Sequence, residues 1–165
     1  MKTRNGFVSN SSSSSFVVAF PKRPESAEEV RKLLYDDLQQ IPYTYNYGDN
    51  KQYFNTLDLA TTIFEDINKQ KENDIKSMVE SVSNGWFDER IDYEKFTDEN
   101  GKIDWDKYQY TNNEIAQKVV QDFIEKNSDY KFYVFNYGDE DGSFFSELEH
   151  GDTFYNLPHI KTSYH

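Results

Sequence analysis

An α+β architecture is written into the order of the chain. A strand-like apolar run stands at Phe16 to Phe20, amphipathic helical patterns fill the middle, and a second apolar run follows at Lys131 to Tyr137. Strands that flank a helical block, instead of alternating with helices, point to a mixed or antiparallel sheet with helices laid on it. The expected molecule is a single domain over residues 1–165. It has an N-terminal strand plus a C-terminal β-meander, with about four helices packed mainly on one face.

FVVAF at Phe16 to Phe20 is a continuous run of β-formers closed by Pro21 and Pro24, which suits a buried strand. Ser26 and Glu29 then match a capping box, and Val30, Leu33, Leu34 and Leu38 follow on one helical face. Residues 42–55 are tyrosine-rich and broken by Pro42 and Gly48, as in an irregular connection or short hairpin. Ala60, Ile63, Phe64 and Ile67 form the stripe of a second helix. Ile75, Met78, Val79, Val82 and Trp86 form that of a third, with Gly85 near its end. Residues 87–111 carry a turn at Asn100-Gly101 and no clear periodicity. The last helix is expected to start at Asn112 or Asn113 and to turn Ile115, Val119, Val120, Phe123 and Ile124 inward. KFYVFNY at 131–137, the turn signal GDEDG at 138–142 and SFFSELEH read as a hairpin, with a final strand in HIKTSYH after Pro158.

With 30 acidic and 18 basic residues the net charge is -12, which opposes direct binding to nucleic-acid phosphates. The 13 Phe, 13 Tyr and 2 Trp supply the aromatic surface of a folded protein and argue against disorder. Cysteine is absent, so disulfides and thiolate chemistry are excluded. No apolar run reaches the roughly 20 residues of a membrane helix, and Lys2 and Arg4 precede Gly, Asn and serines where a signal peptide would be apolar. The expected compartment is the cytoplasm, with no membrane partner.

The opening RNGFVSNSSSSSFVVAFPKRPESAEEV and the closing LEHGDTFYNLPHIKTSYH resemble those of small uncharacterised proteins from bacterial and bacteriophage genomes. The resemblance implies a bacterial or phage source. It carries over no catalytic residue.

Three segments are candidate sites. The first is the serine run, Gly6, Ser9, Asn10, Ser11, Ser12, Ser13, Ser14 and Ser15. Small polar residues let backbone amides and hydroxyls converge on an anion, although the lysine of a GxxxxGK[ST] loop is missing. The competing expectation is that the serines only satisfy neighbouring backbone. The second segment gathers Asp139, Asp141, Glu147, Glu149 and His150 with His159 and His165, oxygen and imidazole ligands suited to a divalent metal. As a strand it would hold Glu147 and Glu149 on one face. His159 and His165 lie about 20 Å apart along an extended chain, so only one of them could join His150. The third, Trp86 to Tyr110, mixes Asp88, Glu89, Asp92, Glu94, Asp98, Glu99, Asp104 and Asp106 with aromatics. It could imitate a phosphate backbone, or face water as most like-charge blocks do.

The function expected is that of a non-enzymatic binding protein. It would contact a small anionic ligand or a protein partner through the serine-rich segment and the adjoining sheet edge. One alternative is a metal-dependent hydrolase built on Asp139, Asp141, Glu149 and His150. Another is an acidic nucleic-acid-mimic inhibitor or virion component. No cofactor is called for beyond a divalent metal in the hydrolase reading, and no GxSxG elbow is present.

Overall fold

The computed structural model describes residues 13–46, 49, 51–87, 91–138 and 142–164. Among them the expected α+β fold is found, as a three-stranded antiparallel sheet and a two-stranded one with five α-helices packed on them. The strands are β1 (Ser13–Phe20), β2 (Gln40–Pro42), β3 (Tyr53–Asn55), β4 (Lys131–Gly138) and β5 (His159–Tyr164). The helices are α1 (Ala27–Tyr35), α2 (Thr56–Lys69), α3 (Ile75–Asn84), α4 (Trp105–Lys126) and α5 (Ser143–His150).

The main sheet runs β4-β1-β5, so the N-terminal strand is its centre. Phe16 pairs with Phe135 on one side and Lys161 on the other, both antiparallel. This corrects the meander, because the C-terminal strands never pair with each other. It also corrects the hairpin, because SFFSELEH is the helix α5. Phe144, Phe145 and Leu148 follow helical spacing, and Ser146, Glu147, Leu148 and Glu149 are four consecutive buried residues, a pattern no two-faced strand explains. Gly142, at φ 97, precedes α5 in a conformation that disfavours side chains, and Gly151 N–H closes its last turn on the Glu147 carbonyl at 2.8 Å.

Alternation along β1 divides the core. Phe16, Val18 and Phe20 face α1, α2 and α5 through Val30, Leu34, Leu59, Ile63 and Leu148. Val17 and Ala19 face α3 and α4 through Met78, Val82, Ala116 and Val120. Three helices thus lie on one face, the expected majority, and two cover the other.

Ser26 caps α1 by accepting from the Glu29 amide at 3.2 Å, and Glu29 accepts from the Glu25 amide at 2.7 Å, one residue before the cap. The short hairpin is β2 with β3. Helix α4 starts at Trp105, about two turns before the expected Asn112, with Asp104 accepting from the Lys107 amide at 3.1 Å. Its inward stripe begins with Tyr108 and Asn112, and a polar residue in the second inward position hides the helical period.

Both outer edges of the sheet are blunted. The Gln70 side chain acts as a one-residue strand against β4, accepting from Val134 N–H at 2.8 Å and donating to the Val134 carbonyl at 2.9 Å. Asn73 does the same for Phe132. Its side chain accepts from Phe132 N–H and its own N–H donates to the Phe132 carbonyl, each at 3.0 Å. On the far edge Trp86 exchanges backbone bonds with Ser163, at 2.7 and 3.2 Å. Trp86 therefore follows α3 as a partner of β5 and not as the last member of its inward stripe.

Candidate functional site

The described serines belong to β1, not to a loop, so alternation turns them to opposite faces. Ser14 is buried towards α5 and donates to Glu149 Oε1 at 3.4 Å. Ser15 is buried on the other face and donates to Asn136 Oδ1. Its oxygen also lies 3.2 Å from the Tyr164 hydroxyl, which donates to the Ser81 carbonyl at 2.9 Å. Two hydroxyls thus meet acceptors inside the fold, one of them a carboxylate that opposes a neighbouring anion. Gly6, Ser9, Asn10, Ser11 and Ser12 lie outside the described residues.

Of the acidic and histidine set, Glu149 and His150 are neighbours on α5, with His150 Nε2 3.3 Å from Glu149 Oε2. Glu149 is 0% exposed. Glu147 turns elsewhere, its carboxylate accepting from Thr44 N–H at 2.7 Å and from the Thr44 hydroxyl at 3.0 Å. On a helix the two glutamates diverge, which corrects their placement on one strand face. His159 Nδ1 lies 2.9 Å from the Leu157 carbonyl. Asp139, Asp141 and His165 lie outside the described residues, and among those described no group of three or more His, Asp and Glu side chains comes together.

In the acidic aromatic segment several carboxylates serve the local backbone. Asp92 accepts from Glu94 N–H at 3.1 Å, and Asp98 from the amides of Asn100 and Lys102 at 2.8 and 2.9 Å. Asp104 caps α4. Asp88 and Glu89 lie outside the described residues.

Two clefts share a boundary, and the second of them draws on this segment. A cleft of about 550 Å³ opens between α2, α3 and β4, lined by Asp66, Gln70, Ser81, Asn136 and Tyr164 among others. A second, of about 670 Å³, lies between α3 and the first turns of α4, and Glu80 and Asn84 line both. Ser15 joins the first cleft from beneath, through Asn136 and Tyr164. The chain matches no protein-family model, no curated protein and no solved structure.

What distinguishes the first cleft is the backbone at its mouth. Phe132 and Val134 direct their main-chain groups away from β1, to Asn73 and Gln70, so the two-residue period of a strand directs those of Asn136 outward as well. Asn136 is exposed, and neither Gln70 nor Asn73 reaches it. The open stretch of the β4 edge is therefore the one that pairs, on its inner side, with Ser13 to Ser15. Gln70 and Asn136 escaped sequence reasoning because an isolated amide has no periodic or motif signal.

Tyrosines buried on the opposite face of the sheet make the fold sensitive to alkali. The Tyr133 hydroxyl, desolvated and donating to Glu72 at 3.2 Å, is pushed up to about 12. Burial raises Tyr35 and Tyr137 well above the ordinary tyrosine value, the latter helped by Asp66. Unfolded tyrosines ionise near pH 10 while these stay protonated, so the unfolded state releases protons first. Stability is expected to hold up to about pH 10 and to fall as pH rises through 12. Melting temperature followed from pH 8 to 12 checks this, and Tyr133→Phe should soften the decline.

Proposed function

We propose that this chain is a non-enzymatic binding protein that captures an extended segment of a protein partner along the open stretch of the β4 edge. The reading is supported by one observation above all: side chains cover the edge at Phe132 and Val134, and among the described residues none covers it at Asn136, beside a cleft. An unpaired strand edge next to a groove is the arrangement that accepts an added strand, with main-chain bonds supplying affinity and side-chain pockets specificity. Asp66 and Glu80 in the cleft wall pair with Lys69 and Lys76, at 3.3 and 3.8 Å, so they do not prescribe the charge of the segment. The serine end of β1 backs this stretch, and Ser15 holds Asn136 in place from beneath.

Two measurements test the proposal. In the free protein the Asn136 amide should exchange quickly with solvent, unlike that of Phe135, which faces β1. Peptides selected from a random dodecamer library should protect the Asn136 amide and lose binding when N-methylated at alternate residues. A slow Asn136 amide in the free protein, or peptide binding indifferent to N-methylation, counts against strand addition. Gln70→Ala, which frees Val134 as well, should lengthen the segment of peptide that is protected.

A further inference from the structure

The second cleft has a different chemistry. Trp105 and Tyr110, 53% and 66% exposed, stand at its lining with Glu80, Asn84, Asp106 and Asn112. Exposed rings of this size offer broad apolar platforms with little ordering cost. Asn112 is only 3% exposed, and its Oδ1 accepts from Ile91 N–H at 3.1 Å, which fixes the orientation of the amide. Its Nδ2 is buried and has no acceptor among the described residues. An unpaired buried donor costs free energy that a seated acceptor would recover.

We propose that this cleft binds a neutral saccharide chain. A sugar ring carries an apolar C–H face for an indole or phenol ring, hydroxyl donors for the Glu80 and Asp106 carboxylates, and hydroxyl acceptors for amide hydrogens. Nδ2 of Asn112 is closed to solvent, so a sugar hydroxyl reaches it only where the side chains over it part as the ligand seats. Phosphorylated ligands meet Asp106 and a Glu80 that Lys76 pairs at 3.8 Å, and find no cation among the lining residues. A simple ammonium ion has nothing to offer the Asn112 donor. The volume of about 670 Å³ suits a few linked rings.

Saturation-transfer NMR with maltohexaose, cellohexaose and chitohexaose, and with adenosine and cytidine as separate arms, tests the assignment. Transfer to ring C–H protons of at least one hexasaccharide is expected. Trp105→Ala and Tyr110→Ala should each weaken that binding by about tenfold, the worth of one aromatic contact. Tyr110 is exposed, so its variant is expected to fold normally, and circular dichroism checks both variants. No transfer to any hexasaccharide, transfer that survives both substitutions, or transfer to the nucleosides alone overturns the proposal. Gln70→Ala should leave saccharide binding unchanged, which separates this site from the strand edge.

Discussion

Phe135→Ala is expected to remove about 4 kcal/mol of folding stability, the largest loss of any single truncation considered. Phe135 is 2% exposed and sits at the centre of an aromatic cluster. Its ring stacks on Phe154 at 5.1 Å between centroids and on Tyr137 at 6.2 Å, and it meets Phe20 at 6.3 Å. Truncation leaves a cavity walled by other rings and by the β1 backbone, neither of which can collapse into it. Domains of this kind are stable by roughly 5–15 kcal/mol in all, so such a loss is a large share of the total. Urea unfolding should show a lower midpoint at unchanged slope, and a loss under about 1 kcal/mol would mean that the cluster is loosely packed.

Gly151→Ala comes next, at about 3 kcal/mol, for the opposite reason. The residue has ordinary backbone geometry, φ -65, so strain is not the issue. Space is. A Cβ at this position would lie 2.5 Å from the Glu147 carbonyl oxygen and would also overlap the Glu147 carboxylate. That carboxylate is buried and bonded to Thr44, so moving it breaks two hydrogen bonds and shifts the end of α5. The variant should melt at a lower temperature, and Glu147→Ala combined with it should lose less than the two single changes added together, because the overlap with the carboxylate is relieved. Strict additivity of the pair would sink this explanation.

The parts of the fold that the sequence announces are those where a physical signal is local. FVVAF is an unbroken apolar run and KFYVFNY a nearly continuous one, and β1 and β4 follow from them directly. Ser26 and Glu29 mark the start of α1 because a cap needs only residues a few positions apart. SFFSELEH misleads because paired phenylalanines favour strands, while its helix is decided by burial on every side against β4 and β1. The early turns of α4 are hidden because Asn112 takes an inward position. The site was less legible than the fold. The serine run drew attention for its hydroxyls, yet what matters at Ser15 is the outer edge of the neighbouring strand, which is shaped by Gln70 and Asn73 from a different part of the chain. Nothing near those amides in sequence reveals which main-chain groups they will cover.

The central position of β1 has a consequence for biosynthesis. Its two partners, β4 and β5, both come after the helical block, so on the ribosome this apolar segment waits for more than a hundred residues before either flank is available. During that wait it is a sticky ribbon bare on both edges, exposed to mispairing with neighbouring nascent chains.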